Sequence, residues 1–504
     1  MLDGNLTKAV LKKNVSKKIE WDFNVPDSKN DILKILSQTL EGTVLEYDAK
    51  ETSFNAKIRV HANILYIADA AEVEQGISAI ESVETIVVKT EIPAGLSYDF
   101  ANVSLDIRNL SPALINSRKV GVRANAGLDV SLIKNIILPK IDCSDRQIET
   151  KTKEIETCVS VINTDDRIPV SLSMPLPSGN PSVFEILKAD LTIKNKDLKP
   201  ISNKAVLKGD LETTVLYISI DNTIETAEFS SPFTEIVDAA GLTDSLELIY
   251  EAKAYKNEIL LQENENNEYR SIALNGFIDL KITANERAAQ TVIIDAYSPV
   301  CQDNSTKDIL EYEETTGVMT DSVMIKEVVY FEEAGISEIV HMISSPIIKK
   351  AEISGSKVDI SGILSANIFV KTESGINSAI KEIAFSYPQD GFKNKSYDNA
   401  SVGCELANVS YNIVGSNAIE IRATVLLYTR LSKMNKLEYI SNITLLEDKK
   451  HNITRAPIVA YFIKENDTLF SIAKKFCTTT AKIMDINNID NESSLKQGQY
   501  FIIE

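Results

Sequence analysis

Ahead of its C-terminal stretch, the chain repeats one pattern three times. Asp31-Ile32-Leu33-Lys34 returns as Glu185-Ile186-Leu187-Lys188 and again as Glu338-Ile339-Val340-His341. An apolar run ending in an aromatic returns as Ile64-Leu65-Tyr66, Val215-Leu216-Tyr217 and Asn367-Ile368-Phe369. A late alternating stretch returns at Lys119 to Val130, Ser271 to Ile282 and Ala418 to Leu427, and each copy begins with an extended segment: Ser16 to Asn24, Glu154 to Leu172, Ser322 to Phe331. The first three of these markers share a period of about 150 residues, so the chain is read as a triplication of one unit before anything else is asked of it.

Within a copy, β-branched alternating runs are separated by Asn, Asp, Gly and Ser, the pattern of many short strands. In Lys57 to Tyr66, Ile58, Val60, Ala62, Ile64 and Tyr66 share one face and Arg59, His61 and Asn63 the other,. One buried and one wet face predict an antiparallel sandwich or open barrel. Short helices are expected at Ile32 to Thr39 and Ile77 to Val83, with His341 in a helix-like start. Boundaries are expected in the polar stretches Asp142 to Lys153, Gln302 to Glu314 and Glu447 to Arg455. This divides the chain into repeats at 1–145, 146–305 and 306–448, a linker at 449–457 and a module at 458–504. Glu263 to Glu268 reads as a solvated loop tip.

The C-terminal stretch changes period. Tyr461 to Lys464 is extended, and Glu465, Asn466 and Asp467 turn the chain. Asp467 or Thr468 can cap a helix whose Leu469, Ile472, Ala473 and Phe476 form one apolar stripe,. Thr478, Thr479 and Thr480 offer a second cap, for a shorter helix with Ile483 and Ile486 inward. Asn487, Asn488 and Asp490 end it, Gly498 permits a tight turn, and Tyr500 to Ile503 alternate as a closing strand,. Strand, helix, helix, strand is a small α+β module.

This stretch resembles the LysM domain, through Asn466-Asp467-Thr468-Leu469-Phe470, the Ser471 to Lys475 helix, Asn487-Asn488 and Gly498-Gln499. The resemblance implies a shallow groove between two loops that takes glycans containing N-acetylglucosamine, or a partner protein, through Asn466, Asp467, Thr468, Leu469, Phe470, Asn488, Ile489 and Asp490. Two positions depart from the family. Asn466 replaces a loop glycine, and Asn tolerates a left-handed backbone better than most residues. Cys477 stands where a glycine often ends the first helix. Both add a side chain near the lip of a sugar groove. For Ile472, Ile483 and Ile503 a plain core role is the simpler reading.

In the second copy, Gly209, Tyr217, Ser231-Pro232-Phe233 and Arg270 resemble the SPOCS domain of spore-coat and spore-envelope proteins. The first copy lacks the glycine; the third keeps Gly362, has Phe369 for the tyrosine, and offers Tyr387-Pro388 in place of Pro-Phe. Three SPOCS-like units and one LysM resemble the SipL-type spore coat morphogenetic family. The fold class expected is therefore mainly β: three repeated antiparallel sandwich or open-barrel-like SPOCS domains, then a small βααβ LysM domain. The resemblance implies a non-enzymatic scaffold of the mother cell that works at the forespore surface and in the coat. Its LysM would dock SpoIVA, the coat ATPase, and other coat proteins are possible partners, with peptidoglycan glycan as the alternative ligand.

The bulk properties agree with a folded scaffold. With Lys+Arg 53 against Asp+Glu 72 the formal charge is −19, which disfavours nucleic acid as a partner. A chain 44% hydrophobic and 25% charged is of the globular kind,. The start, MLDGNLTKAVLKKNVSKK, has no apolar core of a secretory signal,. No run approaches the roughly 18 apolar residues of a membrane span. Five cysteines (Cys143, Cys158, Cys301, Cys404, Cys477), odd in number and scattered, are no disulfide framework and fit a reducing compartment,.

No catalytic constellation stands out. There is no phosphate loop of the Gly-x4-Gly-Lys-Ser/Thr type, and none of the three histidines, His61, His341 and His451, is spaced from another His or a Cys as a zinc ligand would be,. Asp165-Asp166 and Glu332-Glu333 are read as solvated turns and strand ends, Cys158 and Cys404 as buried small hydrophobes, and Trp21, between Ile19 and Phe23, as core. No catalytic residue, metal or cofactor is expected.

Overall fold

The computed structural model describes residues 5–50, 52–69, 76–109, 112–138, 148–332, 335–373, 375–391, 397–451, 458–489 and 497–503. The first unit holds β1 (Asn5–Asn24), β2 (Ile32–Lys50), β3 (Ser53–Ala68), β4 (Ile77–Glu91), β5 (Phe100–Asn109), β6 (Ala113–Asn116) and β7 (Lys119–Ile137). The second holds β8 (Glu149–Pro175), β9 (Val183–Ile201), β10 (Lys204–Ser219), β11 (Ile224–Asp238), β12 (Glu247–Glu263) and β13 (Tyr269–Tyr297). The third holds β14 (Cys301–Tyr330), β15 (Glu338–Ser354), β16 (Lys357–Thr372), β17 (Gly375–Asp390), β18 (Asn399–Ile413) and β19 (Ala418–Lys450). Each unit is an antiparallel sandwich of two sheets with the same strand orders: β1-β7-β5 over β2-β3-β4, β8-β13-β12 over β9-β10-β11, and β14-β19-β18 over β15-β16-β17. The repeat visible in the sequence is thus a repeat of topology.

The units close on one another. β4 of the first unit packs on β9 of the second, β11 of the second on β15 of the third, and β17 of the third on β2 of the first. β1, β8 and β14 also meet pairwise. Head-to-tail contacts that return to their start make a ring, here within one chain. At its centre Leu36, Leu65, Ile77, Leu187, Leu216, Ile218, Phe369 and Ile376, drawn from all three units, form one apolar cluster.

This ring explains where the alternation misleads. Ile58, Val60, Ala62, Ile64 and Tyr66 are all fully buried in the first unit's core, as their shared face predicts. The face expected to be wet meets the second unit instead: Asn63 donates to the Leu187 carbonyl (3.1 Å), Arg59 to Asn257 (3.3 Å), and Lys256 pairs with Glu81 (2.8 Å). The expected helices at Ile32 to Thr39 and Ile77 to Val83 are strand. In β2, register shifts at Ile32/Lys34 and Ile35/Ser37 break the twofold alternation and imitate a helical spacing,. In β4, Ile77, Ser78, Ala79 and Ile80 are consecutively buried, since Ile80 faces its own core and Ile77 and Ala79 face the central cluster. His341 lies in β15. Gln302 to Glu314, expected as a boundary, is strand paired with β19, and β19 runs through Lys449 and Lys450 of the expected linker. Residues 452–457 of that linker lie outside the described residues, as does Cys143.

The register also corrects two alignments. The residues opposite Tyr66, Tyr217 and Phe369 are Ile35, Ile186 and His341, so Ile35 and not Ile32 is the counterpart of Ile186. Gly209 faces Phe233 across the strands, and Gly362 faces Phe385, so Phe385 and not Tyr387-Pro388 stands in for the ring of Phe233. A Cβ on Gly209 would come within 3.1 Å of the Phe233 ring and 3.0 Å of the Lys194 carbonyl. The glycine is the space an aromatic ring lies over.

The other marker residues fasten turns. The Tyr217 hydroxyl donates to the Pro181 carbonyl (3.1 Å), and Arg270 donates to the carbonyls of Asn180 (2.7 Å) and Pro177 (3.1 Å). In the first unit Tyr66 donates to Asn30 (3.1 Å), while Arg118 reaches the carbonyls of Lys29 (2.7 Å) and Pro26 (3.0 Å). These residues satisfy the carbonyls of a proline-containing turn that no strand can pair. Trp21 is partly buried against the core and donates to Ser82 (3.1 Å), and Asn264 ties the tip of the Glu263 to Glu268 turn through the Asn266 and Glu268 amides.

A buried polar layer sits beside the central cluster. Lys188 pairs with Asp190, and His341 of the third unit approaches the same carboxylate (4.0 Å). Burial first and Lys188 second push His341 from 6.5 down to about 4. Between pH 6.5 and about 4 the unfolded chain therefore holds a proton on His341 that the ring does not. Stability is unaffected by His341 above that window and falls as the pH drops through it, by about 3 kcal/mol at the lower end. Urea melts at pH 7.5 and 4.5 check this, because His341→Gln should flatten the difference; an undiminished difference in that variant would remove His341 as its source.

Candidate functional site

The module that follows the ring consists of β20 (Ala460–Phe462), α1 (Leu469–Lys475), α2 (Thr480–Ile486) and β21 (Tyr500–Ile502), with β20 and β21 antiparallel. Thr468 is the cap of α1: its hydroxyl accepts from the Ser471 amide (3.1 Å), and the Ser471 hydroxyl accepts from the Thr468 amide (2.9 Å), a reciprocal box. The Asp467 carboxylate does different work, accepting from the Tyr461 hydroxyl (2.9 Å) and the Lys464 amide (2.8 Å) to close the loop behind β20. Thr479 caps α2 through the Lys482 amide (3.1 Å).

Of the residues expected in the groove, Leu469 and Phe470 are buried, and Asp467 and Thr468 are half-buried and engaged in holding the first loop. Asn466 and Asn488 are exposed at the tips of the two loops, both with left-handed backbones (φ 66° and 48°). Ile489 is half-buried, and Asp490 lies outside the described residues. Asn487, by contrast, is a staple: its side chain donates to the carbonyls of Ile483 (2.8 Å) and Ile502 (2.6 Å) and accepts from the Ile502 amide (2.8 Å). It takes the inward place expected of Ile486, which is exposed.

Cys477 has φ 47° just past the end of α1, the left-handed position at which glycine is favoured. Cys477→Gly is expected to raise the module's stability by about 0.5–1 kcal/mol, read as a later thermal transition; an earlier one would mean that the thiol contributes more than its backbone strain costs.

The module's surface carries an aromatic pair. Phe462 and Tyr500, opposite one another on β20 and β21, have ring centroids 6.2 Å apart and are 64% and 61% exposed, with Ile458 at 71% nearby in the chain. Helix α1 turns another side to the ring, where Tyr297, at the end of β13, joins the module's own apolar core. No local signal in the sequence marked Tyr297 for this place.

The acidic pair Asp165-Asp166 lies in β8 beside a cleft between the first and second units, not in a turn. Burial raises Asp165, which accepts from Tyr47 (3.4 Å), and burial pushes Tyr47 up to about 12. Arg167, which could have completed a binding site, is committed to Asp279 (2.6 and 3.0 Å) and the Val44 carbonyl (3.1 Å) and lies over the Phe277 ring. The group fastens two units together.

A family model described as SipL, SPOCS domain, matches residues 182–259, which span β9 to β11 and most of β12. A LysM domain model matches residues 461–503. Neither a curated protein nor a solved structure matches the chain significantly. No helix among the described residues is long and apolar enough to cross a membrane. SPOCS and LysM are non-catalytic binding domains. The chain carries a SipL-type SPOCS domain in its second unit and a LysM domain at its C-terminal end.

Proposed function

We propose that this protein is a non-enzymatic scaffold of spore-envelope assembly, acting in the mother cell at the forespore surface and docking the coat ATPase SpoIVA through its LysM module. Division of the chain into three SPOCS units, a linker and the LysM belongs to the same reading, with the cuts at 305 and 448 moved to 300 and 450, where β14 begins and β19 ends. The observation that carries it is the exposed Phe462–Tyr500 pair with Ile458. An apolar aromatic patch of this kind, left in water on a small module, fits a protein partner. Asn466 at the groove lip, where the family has glycine, points the same way.

Co-purification with SpoIVA tests it, using the full chain and a version ending after His451, so that β19 keeps its whole length. Retention by the full chain and by an Asn466→Ala variant, with loss by the truncation and by Phe462→Ser/Tyr500→Ser, is the expected result. Equal retention by the truncation would move the contact onto the ring and sink the docking role. The LysM match itself favours a second reading, binding of N-acetylglucosamine glycans of the cortex or wall. Titration with N-acetylglucosamine oligomers separates the two, since saturation at about micromolar to low millimolar concentration, roughly −8 to −4 kcal/mol, would support the glycan.

A further inference from the structure

We infer that the corner from Asp295 to Cys301, between β13 and β14, is a dock that holds the LysM module in one orientation on the ring. Tyr297 is 3% exposed although it ends a strand, and the module is what covers it. Its ring meets Phe470 edge-on, with centroids 5.2 Å apart and planes at 76°. Its hydroxyl donates to the Thr478 carbonyl just beyond α1 (2.7 Å). Burial, with the neighbouring Glu149 and Asp295 carboxylates adding to the effect, holds that hydroxyl well above its ordinary pKa, so it stays a donor. Lys474 pairs with Asp295 (2.6 Å), and Thr480 at the start of α2 donates to Glu149 at the start of β8 (3.1 Å).

The same corner grips the chain on its way to the module. The His451 amide donates to the Val300 carbonyl (3.1 Å), and its ring Nε2 lies 3.1 Å from the Ser298 carbonyl. Only residues 452–457 separate His451 from Ile458. The strand that leaves the ring and the helix that returns to it are thus fixed at one place. Phe470 and Lys474 stand at i and i+4 on α1, so one side of the helix is committed to the ring,. Asn466 and Asn488 stay exposed.

An oriented module changes what a partner meets. A tethered domain loses rotational freedom on binding, whereas a docked one has lost it already, and a partner that touches both loops and ring gains accordingly. That use of the dock rests on the scaffold reading; its existence does not. Asp295 and Tyr297 are positioning residues here, acting through the module.

Hydrogen exchange on the intact chain, with no partner present, tests the dock. Asp295→Lys is expected to speed exchange in peptides covering residues 470–480 by roughly tenfold while β20 and β21 keep their rates. The swap Asp295→Lys with Lys474→Asp should return those peptides to the wild-type rate, and Tyr297→Ser should speed them in a way the swap does not repair. Unchanged rates in both Asp295→Lys and Tyr297→Ser would overturn the inference. Acceleration spread evenly over the module, β20 and β21 included, would overturn it too, because Tyr297 would then be a core residue of the module and nothing more. Failure to bind SpoIVA with the expected exchange pattern intact counts against the scaffold reading alone.

Discussion

Leu469→Ala unfolds the LysM module and leaves the ring folded. Leu469 is fully buried, and it packs with Ile463, Ile472, Ile483, Phe501 and Ile503 in the module's core. Removing the side chain costs about 2–5 kcal/mol in lost burial and cavity. A domain of this size holds only about 3–5 kcal/mol in total. Calorimetry should therefore lose the module's transition while the ring's remains, and limited proteolysis should trim the chain back toward His451. A module transition left in place would mean that its core repacks around the gap. The variant loses partner binding for want of a fold, so Leu469 cannot report on the groove. Asn488→Ala can: its side chain is exposed, and surface changes of that kind stay within about 0.5 kcal/mol.

Gly362→Val breaks the third unit. A Cβ at this position would stand 2.5 Å from Cζ of Phe385 and 2.6 Å from the Ile347 carbonyl oxygen. The ring could swing, but the carbonyl belongs to β15, whose backbone is paired with β16 along its length. Relief means opening that ladder, and overpacking of a strand pair costs about 3 kcal/mol or more. Since β15 and β17 carry the third unit's contacts to β11 and β2, closure of the ring should fail as well. Denaturant melts should shift strongly to lower midpoint, with Gly403→Ala as the control: nothing lies within 4 Å of the Cβ built there, so its midpoint should hold. Equal midpoints for the two variants would show that β15 can move aside, and would end the argument that Gly362 is needed for the ring over it.

The LysM was legible almost residue by residue. Its caps, its apolar stripe and the left-handed positions at Asn466 and Gly498 are local matters, decided within a few residues of chain, and Thr468, Thr479 and Leu469 stand where that chemistry puts them. Ile486 was misplaced because helical spacing alone cannot show that Asn487 would turn inward to staple β21. Most of the candidate groove was legible only as a family pattern. Of the named residues Asn466 and Asn488 are open to a ligand, while Leu469 and Phe470 are closed off by packing.

What the sequence by itself determined is the triplication, the strand-rich units and the α+β end module, because alternation and turn residues are local and repeat with the chain. The tertiary structure alone decided what lies against each strand's second face. A period of two says which side chains share a side, and nothing about what stands opposite. Thus Asn63, expected on a wet face, is buried between units, as are Lys188 and His341, and Tyr297 ends a strand of the second unit yet completes the core of a module far along the chain. Closure of the ring and docking of the LysM depend on surfaces from distant segments meeting, and no local signal in the chain encodes that meeting.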